Sequence, residues 1–355
     1  MRRGAPYRFA HVLMPLTLLA ASCVPKVDDD LSTVAAPRIL AVRATPAEVA
    51  AQKSTVLEVL VAAPDNVTIP TIEWQACEDR KPLTELGPVN PSCLELVPGG
   101  DDTHIPLGSG TSAELTPSRE VCSLFGPTAP PPKAGEAKGG RAVDPDVTGG
   151  FYQPVVAFLD GVPTLGTVRL DCGLPTAPRD AIVAYNSQHR ANNNAEISVL
   201  TLVDGKTESA LPDDDDAAPM PVGAGRTVTL RAEWAACPRK PECGDGVCSE
   251  GEDTSTCSDD CTTPVFCTGA ETYAYYDTGK RQVIPRREGI VVAWYATEGD
   301  FGERLTGVAE SDPDTTSTET RWTAPTRAGT VDSWAVIRDD RGGISWRHYR
   351  LAVAP

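Results

Sequence analysis

Histidine is scarce in this chain, with 4 in 355 residues, and aromatic residues make up only 6%. His11 lies in the N-terminal basic and apolar stretch, leaving His104, His189 and His348 as potential bases or metal ligands, and none stands at a metal-ligand spacing. A Gly-x-Ser-x-Gly elbow and a glycine-rich phosphate loop are both missing. With 49 acids in the chain, no carboxylate pair stands out as a glycosidase site. The chain therefore reads as non-enzymatic. Basic charge is also lacking, Lys plus Arg numbering 32 for a net charge of −17, which argues against nucleic acid as a partner. No helical period extends beyond three turns. The 32 prolines and 30 glycines suit short strands joined by turns.

The start of the chain is organised differently. Arg2, Arg3 and Arg8 precede a short apolar run, Val12 to Ala21, with no acid before Cys23. This is the three-part form of an export signal. Pro15 interrupts the run, which is about half the roughly 20 residues that span a bilayer, so a retained membrane helix is not expected. Leu18 to Cys23, Leu-Leu-Ala-Ala-Ser-Cys, resembles the bacterial lipobox, with Ala20 where that motif usually has Leu. The resemblance implies cleavage of residues 1–22, lipidation of Cys23 and attachment to the outer membrane of the cell envelope. Several acyl chains on one Cys make a stable anchor, whereas a single chain holds only marginally. The alternative is an ordinary signal cut near Ala21, leaving Cys23 as a thiol. Losing three arginines and no acids takes the charge from −17 to −20. Residues 23–36, with Asp28-Asp29-Asp30, read as an acidic tether.

Ten cysteines remain beyond Cys23, and an even number in an exported chain favours five disulfides. Strand-like pieces fall into two series. One runs over 37–175, interrupted by a Pro/Gly-rich loop at 127–144, and the other over 180–355. Asp213 to Asp216 reads as a second exposed loop. Laid side by side, the series match in order. Ser54 to Leu57 faces Arg226 to Leu230, Trp74 faces Trp294, and Leu115-Thr116-Pro117 faces Trp322 to Pro325. Val155 to Gly161 faces Trp334 to Asp340. Trp74 and Trp294 are expected in cores, and an exposed Trp322, Trp334 or Trp346 would point to ligand binding. A competing register sets Trp74 to Cys77 against Trp234 to Cys237, but it puts the later strands out of order.

Gly225, Trp294, the Trp-Thr-Ala-Pro of 322–325, Gly329-Thr330 and Asp340-Arg341-Gly342-Gly343 resemble bacterial immunoglobulin-like surface domains. The first series fits less closely, since Gln52 stands where the turn glycine belongs. The resemblance implies an all-β chain of two immunoglobulin-like β-sandwiches in tandem, similar to surface lipoproteins of the myxobacteria. It specifies fold far better than function.

The second series contains Cys237 to Cys267, within which Cys243-Gly-Asp-Gly-Val-Cys248 runs on to Cys257 and Cys261. This looks like a small cysteine-rich repeat of exported bacterial proteins. So short a polar segment needs cross-links in place of a core. A zinc site is the rival use of the four cysteines, but the two-residue spacing and a reducing compartment are both missing. Cys237 with Cys267 would close the base of the insertion, and Cys77 with Cys93 and Cys122 with Cys172 are candidate pairs, though sequence does not fix connectivity. Asp245, Glu250, Glu252, Asp253, Asp259 and Asp260 are candidate calcium ligands, although the EF-hand spacing is not met. The plainer reading is that they keep the insertion soluble. These features lead to a non-catalytic, lipid-anchored envelope protein whose insertion contacts a protein or polysaccharide. The alternative is a carbohydrate-binding accessory of an extracellular degradation system.

Overall fold

The computed structural model describes residues 31–355 apart from 82–84, 127–149, 175–176, 213–216, 239–241, 249–251, 253, 263–265 and 313. Cys23, the loop at 127–144, Asp213 to Asp216, Glu250 and Asp253 lie outside the described residues. Among the described residues no helix is long and apolar enough to cross a membrane.

The first sandwich is built from β1 (Arg38–Thr45), β2 (Glu48–Ala50), β3 (Thr55–Ala62), β4 (Ile72–Cys77), β5 (His104–Ser109), β6 (Ser112–Leu115), β7 (Gly150–Leu159) and β8 (Val162–Asp171). One sheet has the order β1-β3-β6 and the other β2-β8-β7-β4-β5. Alternation in β3 turns Leu57 and Val59 into the core, where they meet Trp74 of β4 and Phe151 and Val155 of β7. A single helical turn, α1 (Val121–Leu124), leads towards β7 and carries Cys122.

Helix α2 (Arg179–Gln188) links the sandwiches. The second sandwich is built from β9 (Val199–Asp204), β10 (Thr207–Ala210), β11 (Met220–Gly223), β12 (Thr227–Glu233), β15 (Ile290–Ala296), β16 (Asp300–Phe301), β17 (Leu305–Val308), β18 (Ser317–Thr323), β19 (Gly329–Asp339) and β20 (Ile344–Ala354). Between β12 and β15 lie α3 (Ser258–Cys261), inside the cysteine-rich insertion, and the hairpin β13 (Thr272–Asp277) and β14 (Gln282–Arg287). The two main sheets read β10-β9-β12-β18-β16 and β11-β20-β19-β15-β17.

Both sandwiches obey one pairing rule. In each, a short strand joins the last strand in parallel, β2 with β8 and β11 with β20, whereas the other ladders are antiparallel. Trp74 stands opposite Ala157 and Trp294 opposite Ala335. An indole fits across from a methyl group, which is why large and small residues pair there. The turn before the second long strand is also shared. Gln52 N donates to Pro117 O at 2.9 Å, and Gly225 N to Pro325 O at 3.1 Å. Gln52 adopts φ 63° and Gly225 φ 68°, so the left-handed turn survives without a glycine, at a cost of about 1–2 kcal/mol. These matches make the fold two immunoglobulin-like sandwiches in tandem, the second bearing the disulfide-rich insertion. Trp234 follows β12 and is buried in the second core, so it is not the counterpart of Trp74.

One stretch departs from expectation. Ser32 to Val34, expected in the tether, is folded: Thr33 bridges Ala296 in parallel, and Val34 is fully buried. From Ser32 to Pro355 the chain is one compact unit.

Candidate functional site: the buried junction and the stapled insertion

The sandwiches meet through an apolar patch and a polar cluster. Val34, Leu40, Ala41, Leu60 and Ala62 pack against Ala293, Trp334 and Val336, the outward face of the second sandwich's sheet. Trp334 is 5% exposed and Trp322 0%, so neither forms an open aromatic platform. Trp346 is half-buried, with the Arg43 guanidinium 4.3 Å from its ring centre. Two long side chains add polar fixings to this patch. Arg338 Nη2 donates to Leu40 O at 3.0 Å, and Asn194 Nδ2 donates to Ala44 O at 2.9 Å.

The polar cluster begins with register. Pairing of β2 with β8 sets Glu48 beside Arg169, both side chains sealed from solvent, and Arg169 Nε donates to Glu48 Oε2 at 3.0 Å. The linker run Asn192-Asn193-Asn194 then stitches the halves together. Asn192 N donates to the same Glu48 oxygen at 2.9 Å, while its amide Nδ2 reaches Asp339 Oδ1 at 3.3 Å. Asn193 Nδ2 donates to Glu271 Oε1 at 3.0 Å, and Asn194 Oδ1 accepts from Ile344 N at 2.9 Å. Short amide side chains both donate and accept, so three in a row can satisfy backbone and carboxylate groups on either side.

Arg341 is the hub on the second sandwich. Its Nε donates to Glu288 Oε1 at 2.6 Å and its Nη2 to Glu271 Oε2 at 3.0 Å, with the guanidinium 5.0 Å from the Tyr273 ring centre. Asp339 accepts from Arg341 N at 2.9 Å and Gly343 N at 2.8 Å. The glycines of this turn have distinct reasons: Gly342 sits at φ 100°, and a Cβ on Gly343 would come within 2.5 Å of Asn193 O. Burial leaves three carboxylates around one guanidinium and pushes them up. Glu271 rises to about 7 through burial and the charge of Glu288. Glu288 and Asp339 rise as well, burial being the main cause in both. Burial pushes Glu48 up too, but His189 and the charges of Arg169 and Arg341 outweigh it and leave Glu48 lowered to about 2. Such a cluster adds little net stability, but it fixes one arrangement, because removing one partner strands a buried charge.

The insertion leaves the second sandwich at a closed base. The structure joins Cys237 with Cys267, Cys243 with Cys257 and Cys248 with Cys261, and in the first sandwich Cys77 with Cys93 and Cys122 with Cys172. The two inner bridges cross one another along the sequence. They close loops with sequence separations of 14 and 13, each restricting the unfolded chain by about 3 kcal/mol. Asp260 is the internal scaffold: its carboxylate accepts from Gly244 N at 2.6 Å and Gly246 N at 3.1 Å. Asp245 Oδ1 accepts from Val247 N at 2.9 Å, and Glu252 is buried. Of the described calcium candidates, Asp260 and Asp245 thus serve backbone turns and Glu252 packs inside, while Asp259 lies exposed on α3. The stretch Glu242 to Gly246 forms an exposed rim.

The histidines serve as structural ties. His104 Nδ1 lies 2.9 Å from Asp101 Oδ1 and its Nε2 3.1 Å from Ser92 O. His348 Nε2 lies 3.1 Å from Asp332 Oδ1 with its ring stacked on Trp334. His189 ends the linker helix beside Glu48, and sequence spacing gave no sign of that contact. Five disulfides mark a protein that matures in an oxidising compartment outside the cytoplasm.

No protein family matches the sequence, and no curated protein matches it. Among solved structures, the fibronectin(III)-like modules of Clostridium thermocellum CbhA align over 89% of this chain and 93% of theirs, at 9% identity and a TM-score of 0.19. The Yersinia pseudotuberculosis adhesin InvE aligns over 90% of this chain and 59% of its own, at 9% identity and 0.20. The C-terminal domain of the Streptococcus pyogenes antigen I/II-family protein AspA aligns over 90% and 100%, at 8% identity and 0.21. These neighbours are adhesin and fibronectin-like modules. Scores this low reflect no shared arrangement of the whole chain, and the strand pairing alone carries the fold.

Proposed function

We propose that this chain is a non-catalytic protein of the cell envelope, held in the outer membrane by a lipid on Cys23, which presents the stapled insertion to a protein or polysaccharide partner. The observation that supports this reading most is the locked junction. Asn192 to Asn194, Arg341 and the patch around Trp334 hold the insertion-bearing sandwich in one position relative to Ser32 to Val34, where the chain enters the folded body. A contact surface already fixed by disulfides loses little entropy on binding. His104 and His348, two of the three histidines a hydrolase could use as bases, are engaged in structural contacts. The carbohydrate-accessory reading calls for an exposed aromatic row beside polar groups, and none of the six tryptophans is exposed.

The test uses protein from the native membrane fraction. Intact mass with peptide mapping is expected to give a mature chain beginning at acylated Cys23, and an unacylated chain cut elsewhere would overturn the anchor. The Cα atoms of Cys237 and Cys267 are 5.6 Å apart, so a short Gly-Ser bridge can replace everything between Ala236 and Thr268. Cross-linking in intact cells should lose its captured envelope partner on that replacement. Equal capture by both forms would remove the insertion as the contact surface.

A further inference from the structure

Where the linker helix meets the first sandwich, three side chains turn a polar atom towards one point. Glu48 Oε1 and His189 Nε2 are 3.4 Å apart, both sealed from solvent and neither in hydrogen-bonding geometry with any group. Asp171 Oδ2 lies 3.9 Å from the same nitrogen, and all three atoms fall within 4.8 Å of one another. Two buried polar atoms left without a hydrogen bond are costly, and an arrangement that persists calls for a missing occupant.

The rest of each residue is already tied down. Glu48 Oε2 accepts from Arg169 Nε and Asn192 N, and Asp171 Oδ1 accepts from Gly173 N at 3.2 Å. His189 Nδ1 lies 2.9 Å from the Tyr185 hydroxyl, the two rings stacked at 4.9 Å. The tautomer that donates Nδ1–H to that oxygen leaves the Nε2 lone pair facing Glu48. Metal-binding histidines and carboxylates are usually oriented in this way by a partner on their other atom. From these contacts we propose that Glu48, Asp171 and His189 form a binding site for a divalent transition-metal ion of the zinc class.

The distances suit that ion. Bonds of about 2.0–2.2 Å in tetrahedral geometry set neighbouring ligand atoms about 3.3–3.5 Å apart, matching the Glu48 to His189 separation. Asp171, at the end of β8 and 41% exposed, stands 3.9 Å from the histidine nitrogen and within 4.8 Å of Glu48, so its half-exposed side chain would swing inward to complete the set, its open side leaving the fourth position to water. One imidazole with two carboxylates favours zinc-class ions over calcium, which takes six to eight oxygens. The bound ion would tie β2, the end of β8 and the residue after α2 together, bracing the linker against the first sandwich. Affinity should fall below that of closed four-ligand sites, since Arg169 already shares Glu48.

The experiment equilibrates the untagged full chain, stripped with chelator, against micromolar Zn²⁺, then counts bound metal and follows melting. The wild type should retain one equivalent and melt higher with zinc than without. His189→Ala and Asp171→Asn should each lose that equivalent and the zinc-dependent rise. Tyr185→Phe should weaken binding by about 10- to 100-fold, the usual effect of removing an outer hydrogen bond. Should His189→Ala fail to fold, the half-exposed Asp171→Asn carries the test. No retained zinc in the wild type, or retention by Asp171→Asn equal to it, would overturn the site.

Discussion

The two sandwiches share a strand order but are stabilised differently. The second core buries three tryptophans, Trp234, Trp294 and Trp322, whereas the first buries only Trp74. The first instead carries Cys77–Cys93 and Cys122–Cys172, and the second has its bridges in the insertion, outside its core. The first sandwich has fewer large side chains to bury, and its cross-links add stability by restricting the unfolded chain where that apolar contribution is smaller.

That division can be broken from either side. The largest effect is expected at Trp294, whose indole is fully buried and donates to Thr306 Oγ1 at 2.9 Å. Trp294→Ala should destabilise the protein by about 3–5 kcal/mol, read by chemical denaturation, and an unchanged midpoint would refute its core role. Close behind comes the first sandwich's long bridge. Replacing Cys122 and Cys172 together by Ala opens a loop with a sequence separation of 50, worth about 4 kcal/mol on the chain-entropy account. By contrast, replacing Cys243 and Cys257 together should leave the sandwiches' melting temperature in place while the insertion becomes protease-sensitive. A global loss of stability there would mean that the insertion supports the second core after all.

Protonation sharpens the contrast between the cores and the junction. Glu271 has its folded pKa at about 7, raised from an ordinary 4.5 by burial and Glu288, in contact with Arg341 and Asn193. A raised carboxyl contributes stability that is complete below its unfolded pKa and is lost as pH rises through the folded one. The melting temperature should therefore fall between about pH 5 and about pH 8, with Glu288 and Asp339 acting in the same direction. Glu48 works the other way but only in more acidic solution, since its pKa lies at about 2. Glu271→Gln should flatten the slope, and a slope equal to the wild type's would detach it from Glu271. The smallest effect is expected at Gln52, where Gly should relieve the left-handed strain and stabilise by about 1 kcal/mol or less.

Much of the sandwich framework was legible because each strand repeats a local rule, alternation around a tryptophan, that the second series restates. The turn at Gln52 was less legible, because only a partner series with Gly225 in the same place reveals it. Helix α2 left a faint signal, Pro178 ahead of Asp180 with Ala181 and Tyr185 one turn apart, too short to stand out. The junction was invisible. Glu48, Arg169, Arg341 and Asn192 to Asn194 look like ordinary surface residues, and their meaning comes from contacts 53 to 150 residues apart. The burial of Trp334 was hidden for the same reason, since β19 alternation gives it a face but not what covers that face.

Differential scanning calorimetry of the full chain, with Arg341→Met beside the wild type, tests most directly whether the junction makes the sandwiches one body. One cooperative transition is expected for the wild type and two separated transitions for the variant, whose apolar side chain leaves Glu271 and Glu288 without their counter-charge. Two transitions in the wild type, or a single unchanged one in Arg341→Met, would contradict it.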